Sequence, residues 1–585
     1  MNKRKPTSSA FSAWQQLAIN DLYTIAAAHP EAVEILTDKP MLTDGQAVVK
    51  IRLPTKDLPF KPGGLRLCDY EDFTVGIRPL RFSPPQVDVE HARFVDFPHV
   101  LQGFRLCIYL DPAREWDPRG GMASFLDRLW TWLADAAAGR FNASTAMYHP
   151  VGGVLHQTPG TPTVVIREEI PSKPIQRAYL LPRTACRLDI AFATTASDKP
   201  VMPVLTLASN LPFGAGVTLQ QALQFIDNPR THGPRNHTGL GPRPAQALLL
   251  SLAAGASRNM KSSHQYFTLA VPHPCGGPPH ILVGRLPVPA SDRLRSLAQK
   301  SRQCAYLAPS ELGSDISIEW CTVSDERPEV TTRRDEQRPV SAFRGKTVLI
   351  WGCGGLGSWI AEFVARAGVA KVILCDYARV AGGLLVRQDF VEADIGENKA
   401  EALAVRLRAI GDSVEVVAVP GACPNDLEKL LTSADAIIDA TVSIAVGQML
   451  AAAAMACAQE IPHAVLAQVA TDTRTGTLGI LTVSSLGADD LGMIDTRAGQ
   501  AVLADPALEV YQTLWEDSLD GHELIPTRGC SIPTFHGSAA DLAAVAACLV
   551  NLLALHLTDP VPGTHLIALP HAYGGSFPRH HFIQA

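Results

Sequence analysis

The sequence predicts a multidomain α/β protein, and three observations lead to that prediction. At 585 residues the chain is too long for a single hydrophobic core. Its composition, 46% hydrophobic and 18% charged residues with a mean hydropathy of +0.08, is typical of folded domains. A glycine turn at residues 352–357, between an apolar strand and a helix, opens a doubly wound parallel sheet in the C-terminal part.

Charge and cysteine content exclude several classes of function. The net charge is -6, from 51 basic and 57 acidic residues without a long basic run, so we expect no nucleic-acid partner. None of the 12 cysteines forms a C-x-x-C pair, which argues against a zinc ribbon or a redox dithiol. The longest apolar run, residues 542–557, contains Asn551 and His556 and is shorter than a membrane span. We therefore expect a cytoplasmic protein with reduced thiols and no membrane partner.

The first block, residues 11–160, has the pattern of an α+β domain. Apolar residues at helical spacing predict helices over 12–28 and 124–138. Between them, 48–53 and 73–77 alternate as strands do and are separated by turns rich in Pro and Gly.

The second block, residues 161–335, mixes several kinds of element. Runs of β-branched and apolar residues predict strands at 163–166, 201–207 and 281–283. The polar, charged stretch 324–339 is expected to be a linker to the third block.

The third block, residues 336–585, begins with a strand at 346–351, a glycine turn and a helix at 358–367. Glycines allow the backbone to approach a phosphate, and the following helix N-terminus offers free N–H groups to negative charge. The candidate phosphate-binding glycines are Gly352, Gly354, Gly355 and Gly357. Asp376 follows the second strand, where a carboxylate can bind ribose hydroxyls. These features predict a nucleotide site without saying which nucleotide it takes.

Two cations downstream favour an adenylating enzyme over a dehydrogenase. Arg387 and Gln388 follow Asp376 closely, and Lys399 opens the next predicted helix. Paired cations neutralise a triphosphate and the charge that develops at its α-phosphorus, whereas hydride transfer has no need of them.

With these residues the third block resembles the ubiquitin-activating superfamily, which includes the ThiF-like and MoeB-like adenylyltransferases. The resemblance spans about 336–560 and implies ATP as substrate, Mg²⁺ as cofactor and a homodimer. It implies that Asp439 is the magnesium ligand and that Arg333, Arg334 or Arg338 reaches the phosphates. The sequence departs from the family at Leu384 and Val442, which replace an asparagine and an aspartate.

A thiol that accepts the adenylated carboxyl group is expected at Cys530. This residue lies in a loop just before the helix predicted to begin near Ala539. Reactive thiols need such partly exposed or helix-terminal settings. The other cysteines of this block fall in predicted strands, helices or the glycine turn and are expected to be core residues, namely Cys353, Cys375, Cys457 and Cys548.

The first block contains a second candidate thiol, Cys107. It follows Pro84-Pro85 and the tripeptide Phe97-Pro98-His99 and precedes Trp116-Asp117-Pro118. This order resembles a ubiquitin-conjugating domain, with His99 at the position of the family's asparagine. The resemblance implies that Cys107 carries a thioester and that His99 steadies the oxyanion when an amine attacks.

A conjugating domain, a mixed middle domain and a Rossmann-like adenylation domain in one chain resemble the bacterial fusion protein of type II CBASS antiviral operons. The resemblance implies that a donor protein's C-terminus is adenylated, passes to Cys530 and then to Cys107, and is joined to an amine of a target. The donor it implies is a cGAS-like nucleotidyltransferase; a dedicated bacterial ubiquitin-like protein is the alternative donor.

Two other functions are compatible with parts of the sequence. One is a sulfur-carrier adenylyltransferase of ThiF type, against which the missing C-x-x-C pairs and the Cys107 framework both count. The other is a binding scaffold with a degenerate nucleotide site, suggested by Leu384 and Val442. The sequence leaves the donor, the acceptor and the fold of 161–335 open.

Overall fold

The computed structural model forms two compact units, Met1–Thr332 and Arg333–Ala585, which are described separately. It describes residues 10–89, 91–94, 97–103, 105–142, 150–151, 154–193, 199–212, 214–227, 243–273, 276–300, 316–331, 334–421, 427–441, 443–457, 464–485, 490–515 and 537–585.

The first part of the N-terminal unit is an antiparallel sheet with helices packed against it. Its elements are α1 (Ala13–Ala28), β1 (Glu34–Ile35), β2 (Met41–Thr43), β3 (Gln46–Pro54), β4 (Tyr70–Ile77), β5 (Gln86–Asp88), α2 (Pro112–Glu115) and α3 (Gly121–Ala137). The strand order is β1-β3-β4-β5, with β2 paired to β3. Alternate residues of β3 and β4 are buried against α1 and α3, so an α+β domain forms, as predicted.

Local signals explain where α1 begins. The Ser12 hydroxyl accepts a hydrogen bond from the Gln15 amide, and the Gln15 side chain accepts one from the Ser12 amide. This reciprocal capping box satisfies amides that a helix start leaves unpaired. The predicted helices 12–28 and 124–138 are both confirmed, to within three residues at each end.

The second part of this unit is a closed sheet. Its elements are β6 (Thr163–Ile166), β7 (Ile175–Thr184), β8 (Arg187–Ala191), β9 (Val201–Thr206), α4 (Leu219–Ile226), α5 (Pro244–Arg258), β10 (Gln265–Val271), β11 (His280–Leu286), α6 (Val288–Lys300), β12 (Glu319–Cys321) and β13 (Val323–Asp325). The strand order in the described chain is β12-β11-β10-β9-β7-β8-β6-β13. Only Thr322 separates β12 from β13, so one segment borders both ends of the sheet, which must curl into a barrel.

Side chains alternate between the two faces of this barrel. Met202 and Val204 of β9 and Ala270 of β10 belong to one apolar cluster, which lies inside. Their neighbours Leu205 and Leu269 belong to another cluster, which also contains residues of α4, α5 and α6. The barrel therefore has a filled interior and an outer face covered by helices.

The predicted linker 324–339 is wrong at its start. Val323–Asp325 is a strand paired with β6, and Arg327 is almost completely buried. The Arg327 guanidinium donates to the Asp325 carboxylate at 2.7 Å and to the Pro279 carbonyl at 2.8 Å. Because a buried arginine is stable when its donors are satisfied, the start of this stretch, up to Arg327, belongs to the folded domain.

The C-terminal unit is the doubly wound sheet that the glycine turn predicts. Its elements are β14 (Thr347–Trp351), α7 (Gly357–Ala367), β15 (Lys371–Cys375), α8 (Lys399–Ile410), β16 (Glu415–Val419), α9 (Leu427–Thr432), β17 (Ala436–Asp439), α10 (Ile444–Cys457), β18 (Val465–Thr471), β19 (Leu478–Ser485), α11 (Leu491–Ala504), α12 (Ala539–His556), β20 (Gly563–Ala568) and β21 (His580–Gln584). Strands β16-β15-β14-β17-β18 are parallel, and β19, β20 and β21 extend the sheet antiparallel. The predicted multidomain α/β class is therefore confirmed.

Helix α12 is long and apolar enough to cross a membrane by length and composition alone. Its residues Leu542, Val545 and Leu549 are buried in the apolar core beside the sheet. Cys548 lies on the opposite face and is exposed, so its assignment to the core was wrong, whereas Cys353 and Cys375 are buried as predicted.

Three histidines, at the end of α12 and in strands β20 and β21, form a hydrogen-bonded chain. His556 Nε2 lies 2.7 Å from His565 Nε2, and His565 Nδ1 lies 2.9 Å from His580 Nε2. Burial lowers the pKa of all three, and with the neighbouring rings it lowers the pKa of His565 to about 3. The folded chain therefore keeps the His565 ring neutral well below the pH at which it protonates when unfolded, and it disfavours protonation of the other two rings.

We expect this unit to lose stability in acid. The unfolded histidines bind protons as the pH falls through about 6.5, so stability falls by about 1.4 kcal/mol per pH unit for each extra proton bound by the unfolded chain. Thermal unfolding between pH 7.5 and 5 checks this. His565→Phe should flatten the pH dependence, and His29→Ala, at an exposed histidine, should not. An unchanged slope in the His565 variant would contradict this explanation.

Candidate active sites

The glycine turn lies where three parallel strands end together. Trp351, the last residue of β14, pairs with Cys375 of β15 and Asp439 of β17. Gly352 and Asp376 directly follow two of these strand ends. Open α/β sheets bind ligands at this carboxyl edge, so the predicted nucleotide residues meet where the fold class expects them.

The surroundings of Gly352, Gly354 and Gly357 differ, so a side chain would have a different effect at each position. Gly352 has a φ of +92°, which side chains rarely adopt, and a Cβ there would lie 3.0 Å from the Ala440 backbone. A Cβ on Gly357 would collide with the Gly352 carbonyl oxygen. Around Gly354 nothing lies within 4 Å of a Cβ, and Gly355 lies beside it in the turn. Gly352 and Gly357 shape the turn, whereas Gly354 leaves space in front of it.

This difference predicts opposite outcomes for two alanine variants. Gly354→Ala should fold normally and weaken ATP binding at least about 10-fold, because the methyl group occupies ligand space. Gly357→Ala should lower the unfolding midpoint, since its methyl group forces the turn apart. Calorimetric ATP titration and thermal unfolding of both variants test the assignment. Normal ATP binding by the folded Gly354 variant would mean that the phosphates lie elsewhere.

Asp376 lies at the carboxyl edge of the sheet and also stabilises the glycine turn. Its carboxylate accepts hydrogen bonds from the Cys353 amide at 2.7 Å and the Ala378 amide at 2.8 Å. A carboxylate has about four acceptor positions, so two remain for ribose hydroxyls. Asn398, which the sequence analysis missed, caps α8 and donates to the Asp376 carbonyl.

The two predicted cations lie together beside Asp376. Lys399 is half-buried at the first position of α8, and its backbone amide donates to the Ala378 carbonyl at 2.9 Å. Burial lowers the pKa of Lys399, Arg387 adds to this effect, and Asp376 opposes it. Gln388 is buried, and its Oε1 makes no hydrogen bond to the described residues. The structure thus brings four of the predicted residues to one place, Asp376, Arg387, Gln388 and Lys399.

Asp439 is suited to hold a cation. Its Oδ1 accepts hydrogen bonds from the Thr441 amide and hydroxyl, whereas its buried Oδ2 has no partner among the described residues. Burial raises the pKa of Asp439, which an approaching cation would reverse. No group of three or more His, Cys, Asp or Glu in the described ranges is arranged so that it could hold a metal ion, so a protein-only metal cage is not available there. Mg²⁺ held by one carboxylate and substrate phosphates fits this arrangement.

Cys530, Val442 and Arg333 lie outside the described residues. The described residues that flank Cys530 in the sequence, up to Trp515 and from Gly537, make hydrogen bonds to the rest of the C-terminal unit. The Trp515 indole donates to the Asp495 carboxylate at 3.1 Å, and the Ala539 amide donates to the Val386 carbonyl at 2.7 Å. The second attachment joins the start of α12 to the residue that precedes Arg387.

The second candidate site lies in the N-terminal α+β domain, where Cys107 and His99 share a turn. The Cys107 amide donates to the His99 carbonyl at 2.8 Å, and its Sγ lies 3.3 Å from the Tyr109 carbonyl. The thiol is half-buried. Burial raises the pKa of the Cys107 thiol and Glu115 adds to this, whereas the Arg128 guanidinium lowers it.

His99 has an unusual backbone conformation. Its φ of +62° is left-handed, a region that asparagine tolerates better than most residues. Its ring packs edge-on against Phe141, and its buried Nδ1 has no partner in the described chain. Burial, with the Arg128 charge, lowers the pKa of His99, which favours the neutral ring.

A substitution series tests the role expected of His99. His99→Ala should slow attack of an amine on the Cys107 thioester about 100-fold if the ring steadies an oxyanion. His99→Asn keeps an N–H donor and suits the left-handed backbone, so it should retain most of the rate. Single-turnover discharge to free lysine measures both. Equal rates for the alanine variant and the unsubstituted protein would exclude this role.

Comparisons with known families agree with this division of the chain. Residues 48–159 match the Prokaryotic E2 family A, 193–326 match the Cap2 central linker domain, and 333–485 match the ThiF family. The matches therefore follow the order of the α+β domain, the barrel and the doubly wound sheet.

Curated relatives match parts of the third block. They include mouse adenylyltransferase and sulfurtransferase MOCS3, 44% identical over 80 residues, 14% of this chain and 17% of that protein. Molybdopterin-synthase adenylyltransferase of Escherichia coli K12 is 31% identical over 117 residues, 20% of this chain and 47% of that protein. Ubiquitin-like modifier-activating enzyme 5 of Drosophila persimilis is 33% identical over 121 residues, 19% of this chain and 32% of that protein. The chain thus spans less than half the length of each.

Solved structures match 42% of the chain. They include PaaA, with 17% identity, 75% of its chain covered and a TM-score of 0.31. E. coli MccB with ATP has 16% identity, 66% of its chain covered and a TM-score of 0.28. The three family matches, in this order along the chain, identify the protein as a bacterial fusion of a ubiquitin-conjugating-like domain and a ThiF-type, ubiquitin-activating-like domain, joined by a CBASS-associated Cap2 linker domain.

Proposed function

We propose that this protein joins the C-terminus of a donor protein to an amine of a target through two successive thioesters. One observation carries the proposal. The same chain holds a glycine turn flanked by Asp376, Arg387 and Lys399, and a half-buried Cys107 hydrogen-bonded to the His99 turn. The first arrangement suits carboxylate adenylation, and the second suits thioester chemistry.

In the first step, the donor carboxylate oxygen attacks the α-phosphorus of ATP, and pyrophosphate leaves. Arg387 and Lys399 neutralise the charge that accumulates on the phosphates, while the glycine-turn amides hold them. Mg²⁺, held by Asp439 and the phosphates, would supply further neutralisation when bound. The product is an acyl adenylate.

In the following steps the acyl group moves between sulfur atoms. The Cys530 thiolate attacks the acyl carbon and AMP leaves; the Cys107 thiolate then attacks, and Cys530 leaves as thiolate. Finally a lysine amine of the target attacks the Cys107 thioester, Cys107 leaves as thiolate, and the amine gives up its proton to solvent. His99 donates its N–H to the carbonyl oxygen during this attack.

The donor we propose is a cGAS-like nucleotidyltransferase, with a dedicated ubiquitin-like protein as the alternative. The Cap2 central linker domain, which is associated with CBASS, favours the first. We also propose a homodimer in the cytoplasm, where the cysteines of the described residues, none of which forms a disulfide, would remain reduced.

ATP–pyrophosphate exchange tests the activating half of the proposal. Exchange should require a donor protein with its native C-terminus and should disappear when that terminus is removed. If the protein binds ATP but shows no exchange with either candidate donor, the proposed reaction is contradicted. Exchange without any acyl-cysteine would instead favour a ThiF-type sulfur-carrier adenylyltransferase.

A further inference from the structure

The Ser358 hydroxyl connects the two parts of the nucleotide site. Ser358 is completely buried at the start of α7. Its Oγ donates to the Gly354 carbonyl at 2.7 Å and accepts a hydrogen bond from the Asp389 amide at 3.1 Å. Gly354 belongs to the glycine turn, and Asp389 directly follows Arg387 and Gln388. A single hydroxyl group therefore joins the turn that faces the phosphates to the turn that carries the arginine.

Two further contacts fasten the arginine turn to α7. The Trp359 indole N–H donates to the Arg387 carbonyl at 3.3 Å. The Arg406 guanidinium donates to Glu362 of α7 at 3.1 Å and also contacts the Asp389 carboxylate at 2.8 Å. Ser358 and Trp359 of α7 thus contact the arginine turn directly and Glu362 is linked to it through Arg406, and of these three Ser358 reaches the glycine turn as well.

We propose that Ser358 is a positioning residue for adenylation: its hydroxyl holds Arg387 in register with the glycine-turn amides so that both meet the same phosphates. This inference rests on the proposed function. Ser358 itself faces no ligand, because it is buried and both its bonds are to backbone. Its removal leaves the buried Asp389 amide without an acceptor, so the turn must shift to find one. A shift of about 1 Å in a charged group is enough to lower a rate substantially.

A double-mutant cycle between Ser358 and Arg387 tests the proposal. We expect Ser358→Ala to lower kcat of donor-dependent ATP–pyrophosphate exchange about 10-fold, while the KM for ATP changes less than about 3-fold. In the Arg387→Ala background the same change should cost less than about 2-fold, since the group it positions is gone. Ser358→Thr, which keeps the hydroxyl, should restore most of kcat. Trp359→Phe removes the indole N–H that donates to the Arg387 carbonyl and should lower kcat in the same direction.

Binding of a non-hydrolysable ATP analogue, measured by calorimetry on the full chain, provides a readout that needs no donor protein. Ser358→Ala should bind the analogue within about 3-fold of the unsubstituted chain, so that a loss of kcat with retained binding reports on the reaction and not on folding. Thr482→Val, which removes a buried hydroxyl bonded to Thr564 in the antiparallel strands, is the matched control and should change neither readout.

The outcomes separate this inference from the function on which it rests. Equal losses from Ser358→Ala in both backgrounds, with the protein folded, would show a general structural effect and overturn the positioning role alone. If the unsubstituted chain binds no analogue, the proposed function and the positioning role both fail.

Discussion

Replacing Lys399 with alanine is expected to reduce ATP–pyrophosphate exchange at least about 1,000-fold. Lys399 lies half-buried beside Asp376 and Arg387, where burial lowers its pKa and the Asp376 carboxylate opposes that shift. A cation in such a partly desolvated site interacts strongly with phosphate charge that develops in the transition state. The measurement is the rate of isotope exchange with the donor protein at saturating ATP.

Lys429→Ala is the matched control, because Lys429 is an exposed lysine on α9 of the same unit. The control should exchange at the unsubstituted rate and share its unfolding midpoint with the Lys399 variant. If the folded Lys399 variant exchanges within about 3-fold of the unsubstituted protein, Lys399 does not act on the transition state.

Replacing Cys107 with serine is expected to abolish conjugation to the target while leaving pyrophosphate exchange intact. The serine hydroxyl can accept the acyl group but forms an oxyester, which amines attack far more slowly than a thioester because an alkoxide is a poorer leaving group than a thiolate. The donor should therefore accumulate on the substituted side chain as an adduct that survives reducing agent. Gel electrophoresis with and without reductant, followed by peptide mapping, locates the adduct.

Cys68→Ser is the control for this experiment, since Cys68 is an exposed cysteine of the same domain. It should conjugate at the unsubstituted rate and form only a reducible adduct. Normal conjugation by the Cys107 variant would exclude Cys107 as the final carrier of the donor. The ubiquitin-conjugating-like domain would then not carry the thioester expected of it.

The candidate nucleotide site at the carboxyl edge of the sheet could be predicted from the sequence because its signals are local. Gly352 and Gly357 must be glycine for steric reasons, Asp376 directly follows the apolar strand β15, and Asp439 is the last residue of the apolar strand β17. The fold class fixes the rest, since parallel strands end at one edge. Asp376 and Asp439 therefore lie at the same edge of the sheet, and Lys399 lies beside Asp376, although their spacing in the sequence does not show it directly.

Contacts that depend on distant pairing could not be predicted. Closure of the barrel requires β13 to pair with β6, which lies far back in the chain, and no local pattern specifies that pairing. The same reason explains the error at Arg327, whose charge looks like linker composition until Asp325 and the Pro279 carbonyl surround it. Ser358 was missed because a serine after a glycine turn is ordinary until its two backbone partners are known.

The central claim is that one acyl group passes from Cys530 to Cys107, and intact mass spectrometry tests it most directly. The protein is incubated with ATP and the donor, as unsubstituted chain, Cys530→Ala and Cys107→Ala. We predict a reducible adduct of the donor mass less water on Cys107 in the unsubstituted chain, on Cys530 in the Cys107 variant, and on neither cysteine in the Cys530 variant. Loading of Cys107 when Cys530 is absent would contradict the relay.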